Sequence, residues 1–379
     1  MKSAIARIDQ SRSSYSNSKA AMLPSFGYSG EASLNRRNGA DANVFNAFGT
    51  ASWELDFWGK LRHAKRSSYA EMLASEEGVK TIQTTLISDV SNLYFLLRDL
   101  DARLALSKKV VESRLKYFDI INARFMGGDV SELDKLQAEQ QLAYAKATVS
   151  SLTREVSNTE RALNVLLGQT PQPIARGIEN VAQAEFPKIP VGLPSTILDQ
   201  RPDVRYAELQ LESVTNKIGI AQAMRFPTFS LTGLFGLASS DLTSFATTDA
   251  LATTASATVF GPIFSFGTNR RRVDIARKEA EISANNYTKV YINALGEVES
   301  SLVALESYKD EYEQRAIQAA AATKALSLSQ ERYNQGYADY LEVLIAETYM
   351  FDAELQASAT KAQQLSAYIN LYRSLGGGW

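Results

Sequence analysis

The sequence contains no cysteine and one histidine, His63. Without cysteine there is no disulfide framework and no thiolate metal site, and a lone histidine does not make an imidazole metal site. We interpret His63 as a solvated helix residue. The chain also lacks a Gly-rich phosphate loop followed by Lys and Ser or Thr, and no paired carboxylates stand out. We therefore expect no enzymatic activity, no cofactor and no metal ion.

Neither sign of charge dominates the chain, and long apolar runs are missing. The chain has 40 Lys and Arg residues and 42 Asp and Glu residues, which gives a net charge of -2. This balance gives no electrostatic reason to expect nucleic acid as a partner. No charge-free apolar window reaches the ~18 residues of a membrane-spanning helix. The start has no signal-peptide core, and we expect the sequence to begin inside a longer natural chain.

The chain repeats itself. The stretch RFMGGDVSELDKLQAE, residues 124–139, aligns without a gap with RYNQGYADYLEVLIAE, residues 332–347, at an offset of 208. The same offset holds from Trp58, which falls on Phe266, to Gly168, which falls on Gly376. Self-similarity over such a length indicates two copies of one supersecondary unit, and we expect the two copies to fold alike.

Each copy begins with the alternation of a β-hairpin. Over residues 24–57, apolar side chains alternate with polar ones in two arms separated by the turn-like NRRNGADAN. The pattern returns over 227–266, where FPTFSLTG at 226–233 resembles LPSFGYSG at 23–30 with an offset of 203. Each predicted hairpin therefore has one apolar and one polar face.

A long helical hairpin follows each β-hairpin. Apolar residues recur at steps of four and three from Ile82 onward, which is a coiled-coil spacing. The 66 residues from Lys60 to Phe125 would span about 100 Å of helix. We predict one helical hairpin at 60–167, with its tip at Gly127 and Gly128. We predict a second at 268–375, with its tip at 335–336.

These elements divide the chain into three predicted parts. Repeat one covers 1–168 and begins with the end of a helix. An irregular, proline-rich connector covers 169–199. Repeat two covers 200–379 and opens with a helix at 200–225, where Pro202 and Asp203 suit a first turn.

Four strands in one chain do not close a barrel. If the apolar faces contact lipid, closure is compulsory, because lipid does not satisfy open strand edges. Two chains would give eight strands with a filled interior, and three would give twelve with room for a lumen. The alternative is that the hairpins form a soluble sheet at the end of a coiled coil.

Several segments resemble the TolC-like outer-membrane factors, in particular the lipoprotein branch of channels that serve RND-type multidrug pumps. GLPSTILDQRPDVRYAE resembles that branch's connector and helix start, and RFPTFSLTG resembles the beginning of its third strand. FGPIFSFGTNRRR, RYNQGYADYLEVLIAE and LYRSLGGGW resemble the end of its fourth strand, its second helical tip and its C-terminus. The resemblance covers essentially the whole chain.

The resemblance implies a mixed α/β membrane protein. Its members are homotrimers, with a 12-stranded β-barrel in the bacterial outer membrane, four strands per chain, continued by a long α-helical coiled-coil barrel in the periplasm. They carry a lipid-bearing Cys upstream of the point that corresponds to the start of this chain. Their partners are a periplasmic adaptor, an inner-membrane RND-type pump and outer-membrane lipid. The implied function is a passive exit duct for efflux; the alternative is a periplasmic coiled-coil structural or adaptor protein without a pore.

The resemblance also assigns candidate residues at the tips. Glu342 matches an acidic ring position inside the closed tip, its repeat partner is Asp134, and Leu341 matches an apolar ring in some members. Many members of the family place a second acidic residue three positions after the first. This chain has Ile345 at that position, which does not supply the second acid. Each of these residues has ordinary helix solvation or packing as its alternative.

Other residues beside the turns are candidates for holding the tips closed and for docking partners. Arg124, Arg332 and Tyr333 would bond to carboxylates such as Asp129, Asp134 or Asp339, the last of which we also count with the constriction. Gly127, Gly128 and Gly336 would supply the turns.

The end of the first hairpin is rich in aromatic residues. Trp53, Phe57 and Trp58 are expected to form an interfacial belt at the membrane surface, with a buried cluster at the barrel base as the alternative.

Overall fold

The computed structural model describes residues 1–37, 40–41, 43–177 and 195–377. Parts of the predicted hairpin turn and of the C-terminal segment, and most of the proline-rich connector, lie outside the described residues. The elements are α1 Lys2–Ala20, β1 Ser25–Ser33, β2 Arg36–Arg37, β3 Ala40–Asp41, β4 Val44–Leu55, α2 Lys60–Gly127, α3 Glu132–Leu167, a 3-10 helix Ser195–Gln200, α4 Pro202–Ala223, β5 Thr228–Ser239, a 3-10 helix Thr248–Ala250, β6 Leu251–Phe260, α5 Thr268–Asn334 and α6 Tyr340–Ser374.

Two compact units cut across the two sequence repeats. The first unit contains residues 1–82 and 199–292, and the second contains residues 83–198 and 293–379. Each unit thus draws on both repeats. The first holds the strands with α1, α4 and the beginnings of α2 and α5, and the second holds both helical tips.

The first unit contains an antiparallel four-stranded sheet in the order β1-β4-β5-β6. Its register places apolar residues opposite one another across all four strands. Ala51, for example, lies opposite Phe26 on one side and Gly233 on the other. The other face carries mainly Ser, Thr and Asn, as the alternation in the sequence predicts.

The two edge strands differ from the two central ones. Almost every residue of β1 and β6 is exposed, whereas most residues of β4 and β5 are at least half-buried. The exposed edge residues include bulky apolar side chains, such as Tyr28 and Phe260. Within the described residues, the outer backbone groups of β1 and β6 pair with no further strand of the four-stranded sheet.

His63 is not a solvated residue as expected. Its imidazole is half-buried, its Nδ1 lies 3.1 Å from Asn216 Oδ1, and it packs on Gly219. A Cβ at position 219 would lie 2.5 Å from the ring, so only glycine leaves room for it. Nearby, Ser67 and Ser213 form a buried hydroxyl pair between α2 and α4.

The long helices α2 and α5 have 68 and 67 residues. Neither these nor the other helices of the described chain combine the length and the hydropathy of a membrane-crossing segment. In the second unit, Val110 of α2, Ala145 of α3 and Phe351 of α6 form a core cluster, against which Leu106 and Leu355 pack. The apolar stripe predicted on α2 packs only in part, since Leu97 is buried and Leu115 is exposed.

Left-handed glycines mark the ends of the helical hairpins in both repeats. Three pairs of glycines with positive φ lie 208 residues apart, since 267 minus 59, 336 minus 128 and 376 minus 168 give the same number. They are Gly59 and Gly267, Gly128 and Gly336, and Gly168 and Gly376. The repeated sequence thus encodes a repeated backbone.

Candidate functional site at the helical tips

Both tips use the same turn. At the end of α2, Gly128 has φ 84°, its N–H donates to the Phe125 carbonyl at 3.0 Å, and the Asp129 N–H donates to the Arg124 carbonyl at 2.9 Å. At the end of α5, Gly336 has φ 79°, and the corresponding two bonds measure 3.0 and 2.9 Å. This is the Schellman ending, which needs a left-handed residue.

In the first tip, the acidic residue Asp134 is bound within the N-cap of its own helix. Ser131 is the N-cap of α3, and its hydroxyl accepts from the Asp134 N–H at 3.2 Å. In return, Asp134 Oδ2 accepts from the Ser131 N–H at 3.0 Å, which completes a capping box. Lys135 on the same helix lies 5.0 Å from the centre of the Phe125 ring. The Asp134 carboxylate, a predicted constriction group, is thus occupied in its own cap.

In the second tip, the corresponding acidic residue, Glu342, pairs with a side chain of another helix. Asp339 is the N-cap of α6, and its carboxylate accepts from the Tyr340 N–H at 2.6 Å. Glu342 therefore does not close a box; its Oε1 lies 3.3 Å from Arg332 Nε on α5. Both side chains are about half-exposed, at 43% and 58%. This ion pair spans the turn between α5 and α6.

A hydrogen bond and a cluster of tyrosines join the first helical hairpin to the second near the tips. The Arg124 guanidinium donates to the Tyr333 hydroxyl at 3.5 Å, at the surface. Tyr333 also packs edge-on against Tyr340, with ring centres 5.3 Å apart, and Tyr340 stacks on Tyr117 of α2. Burial raises the pKa of the Tyr340 hydroxyl, and the Glu347 carboxylate adds to the rise. This hydroxyl therefore stays neutral to a pH above the ordinary tyrosine pKa of about 10.

A buried ion pair lies behind the tyrosines. The side chains of Arg114 on α2 and Glu347 on α6 are only 1% and 7% exposed, and Nε lies 3.4 Å from Oε2. Arg114 also donates to the Gln141 carbonyl of α3 and to the Thr348 hydroxyl, and Ser113 donates to Glu347. The Arg114 guanidinium thus holds three helices together.

The ion pair was missed in the sequence, although a signal for it exists. Glu347 stands on the stripe that carries Val343, Leu344 and Phe351, all of them buried. A charged residue on an apolar helix stripe predicts a buried partner of opposite charge, because burying it alone is costly. The sequence does not identify that partner, since Arg114 lies on a different helix.

The remaining predicted tip residues lie in and beside the two turns. Leu341 is about half-exposed on the first turn of α6. Gly127 is the last residue of α2, and Asp129 contributes its backbone N–H to the turn. Among the described side chains, the arginines Arg124 and Arg332 contact Tyr333 and Glu342 rather than the expected Asp residues.

The predicted aromatic belt lies in the first unit. Trp53 Nε1 donates to the Met22 carbonyl at 3.0 Å, and Phe57 packs edge-on against Phe229. Trp58 stacks on Phe226, with ring centres 4.5 Å apart. The three side chains are 39%, 61% and 46% exposed. They combine partial burial with exposure, as side chains at an interface do, and the membrane belt stays a prediction.

The chain matches the family described as outer membrane efflux protein over residues 1–169 and 193–377. It belongs to this family. The solvent efflux pump outer membrane protein SrpC of Pseudomonas putida is 32% identical over 329 residues, 86% of this chain and 70% of that protein. The cation efflux system protein CusC of Escherichia coli O6:H1 is 28% identical over 383 residues, 100% of this chain and 83% of that protein.

Solved structures of outer membrane channels have the same fold as this chain. The open state of the MtrE outer membrane channel of Neisseria gonorrhoeae superimposes with a TM-score of 0.92 at 26% identity, covering 100% of this chain and 86% of that one. Family membership confirms the predicted fold class, the efflux role and the outer-membrane location. It also confirms the homotrimer and the adaptor and pump partners. The roles of the individual tip residues stay predictions.

Proposed function

We propose that the efflux duct formed by this chain is gated at the two helical tips, by the exposed contacts Arg332–Glu342 and Arg124–Tyr333. The observation that carries the proposal is the asymmetry of the tips. Asp134 is held in a capping box, whereas its repeat partner Glu342 is bound by one arginine across a turn. Only the second acid is free to change partners without breaking its helix cap.

The energies suit a gate. Exposed ion pairs and hydrogen bonds contribute under about 1 kcal/mol each. Three copies of each contact would hold the tips closed with a few kcal/mol, which an adaptor can offset by binding. Once Arg332 is released, three Glu342 carboxylates near one axis would attract cations. Opening at the second tip would therefore also change ion selectivity.

The two faces and the exposed edges of the four-stranded sheet support the proposed duct. Its apolar face suits lipid and its polar face suits water, and its exposed edge strands are satisfied when further copies join. Three copies supply twelve strands and a lumen. Relatives named for solvent and for cation efflux fit a conduit that contacts its cargo weakly. The proposal is a passive role, in which this chain catalyses no reaction and the pump supplies the energy.

The first test is the mass of the detergent-solubilised particle by light scattering, corrected for bound detergent, followed by single-channel conductance. Three chains of 41.7 kDa and a conductance that rises in Arg332→Ala are expected. The matched control is Arg315→Ala, which removes an exposed pair with Glu311 along α5, away from the tip. A trimer whose conductance is the same in both variants would refute the gate. A monomer that stays in solution without detergent would refute the duct.

A further inference from the structure

The turn between β4 and α2 neutralises its own positive charges. The Asp56 carboxylate accepts hydrogen bonds from the N–H groups of Leu61 and Arg62 at 3.0 and 2.9 Å. The same carboxylate pairs with the Arg62 side chain, whose Nε lies 3.3 Å from Oδ2. Beside it, Lys60 Nζ lies 2.6 Å from Glu54 Oε1. Both the first backbone donors of α2 and the cations near them therefore have anionic partners within the chain.

The corresponding turn between β6 and α5 lacks these acids. Phe264 stands in the place of Asp56, whereas Arg270 stands in the place of Arg62, since 56 plus 208 is 264 and 62 plus 208 is 270. Glu54 corresponds to a proline, and arginine follows at the two positions after 270. The first turn of α5 contains no acidic residue. The second repeat thus gains positive charge where it loses the carboxylates.

The three arginines of this turn are exposed and have no ionic partner. The Arg271 guanidinium donates to the Phe266 carbonyl at 2.9 Å, and that of Arg272 donates to Asn269 Oδ1 at 3.4 Å, so both contacts are to neutral oxygens. Among the described residues, no carboxylate pairs with any of the three. The N–H groups of Asn269 and Arg270, the counterparts of the two that the aspartate binds, also have no acceptor there. Cations at the positive end of a helix are unfavourable without an anion.

Aromatic side chains flank the arginines. Phe264 and Phe266 are 76% and 82% exposed, and they contact each other edge to face, with ring centres 4.6 Å apart. The segment leads from the end of β6 at Phe260 to the start of α5. In an outer-membrane channel with periplasmic helices, it therefore lies at the periplasmic end of the membrane-spanning strands. Aromatic rings beside basic residues are typical of surfaces that contact acyl chains and headgroups together.

We propose that this turn, residues 263–272, binds an anionic phospholipid of the periplasmic leaflet, of the phosphatidylglycerol class. The arginines and the two backbone N–H groups would bind its phosphate, and Phe264 and Phe266 would contact its acyl chains. The phosphate takes the place that the Asp56 carboxylate occupies in the first repeat. A zwitterionic lipid binds less well, because its cationic group is repelled by the arginines. The inference rests on the outer-membrane location of the trimer and is independent of the gate at the tips.

Native mass spectrometry of the detergent-solubilised trimer tests the site, with dioleoyl phosphatidylglycerol and dioleoyl phosphatidylcholine as probes. We expect one phosphatidylglycerol per chain to be retained and several-fold weaker retention of phosphatidylcholine. Arg270→Gln with Arg272→Gln should lower the phosphatidylglycerol affinity roughly tenfold or more, since each basic residue near an anionic lipid surface contributes about a fivefold factor. The matched control is Lys309→Gln with Lys324→Gln, which removes two exposed charges from the same helix outside this turn. It should leave the affinity unchanged.

A second variant tests the correspondence between the two repeats. Phe264→Asp supplies the acid that Asp56 supplies in repeat one, so its carboxylate should compete with the lipid and lower the phosphatidylglycerol affinity several-fold. The uncharged Phe264→Asn should lower it less, and light scattering checks that both variants remain trimers. Equal losses in the two would mean that the lipid phosphate does not occupy the place of the aspartate.

Three results would overturn the lipid site itself. They are equal retention of the two lipids, an affinity that the double arginine variant leaves unchanged, and displacement of phosphatidylglycerol by inorganic phosphate at equal concentration. The last would show that the turn binds a free anion and not a lipid. The duct and the gate would stand after any of these results, because particle mass and conductance test them separately.

Discussion

The two helical tips share a backbone and differ in their charges. Both end in a left-handed glycine and the same pair of backbone bonds. In the first tip, Asp134 is bound by its own cap residue, whereas in the second tip Asp339 caps the helix and Glu342 pairs with Arg332 on the other helix. The repeat thus preserves the turn, while the acidic side chain of the first tip is held in its own helix cap and that of the second tip pairs with an arginine of the other helix.

The helices behind the tips extend this difference. The buried Arg114–Glu347 pair anchors the return helix of repeat two. Their repeat counterparts are Ala322 and the exposed Glu139, since 114 plus 208 is 322 and 347 minus 208 is 139. The return helix with the separable tip contact is therefore also the helix with a fixed buried anchor.

The largest effect should come from removing one member of the anchor. Glu347→Ala leaves the Arg114 charge buried without its carboxylate, and such changes destabilise by roughly 3–5 kcal/mol. Denaturant unfolding followed by helical circular dichroism measures this loss. The matched control Glu139→Ala should change the free energy of unfolding by under about 0.5 kcal/mol, because exposed side chains contribute little. Equal losses in both variants would mean that the helices are anchored alike.

The next largest effect should be the same at both tips. Gly128→Ala and Gly336→Ala place a Cβ on a left-handed backbone, which costs about 1–2 kcal/mol. A Cβ on either residue meets nothing within 4 Å, so backbone strain is the only expected cause. Gly127→Ala is the control, since this last residue of α2 is not among the positive-φ glycines. Thermal unfolding that distinguishes Gly128→Ala from Gly336→Ala would break the equivalence of the turns.

A smaller effect on stability, but a larger one on conduction, should separate the two acids. Glu342→Ala removes an exposed ion pair worth under about 1 kcal/mol. It should raise single-channel conductance and reduce cation selectivity. Asp134→Ala removes half of a capping box instead, so about 1 kcal/mol of helix stability should be lost with little change in conductance. Matching conductance in the two variants would contradict the assignment of the gate to the second tip.

How far the sequence predicts this molecule depends on the range of the interaction. The strand alternation, the helical stripes and the glycine turns were predictable, because each is set by residues close in the chain. The different contacts of Asp134 and Glu342 were not predictable, because they depend on the N-cap residue of each helix, which is Ser131 in α3 and Asp339 in α6. The anchor was not predicted because Arg114 and Glu347 are 233 residues apart, and no local pattern specifies which helices pack together.

The smallest effect concerns a buried acid that only one long helix carries. Asp99 of α2 is buried, and its repeat counterpart on α5 is Ser307, since 99 plus 208 is 307. Burial raises the pKa of the Asp99 carboxyl, while hydrogen bonds from Ser358 and the Arg103 charge act in the opposite direction. The folded chain therefore keeps this proton to a higher pH than the unfolded chain does.

The sign of the pH dependence follows from that difference. As pH rises from the ordinary aspartate pKa of about 3.9 through the raised pKa, the unfolded chain binds fewer protons, and the Asp99 contribution to the free energy of unfolding falls. Asp99→Asn accepts the same hydroxyl without ionising, so denaturant unfolding at several acidic pH values should lose this component of the slope. Ser307→Ala should leave the slope as it is. An unchanged slope in Asp99→Asn would show that solvent reaches the carboxylate, and that the two long helices do not differ in buried charge at this level.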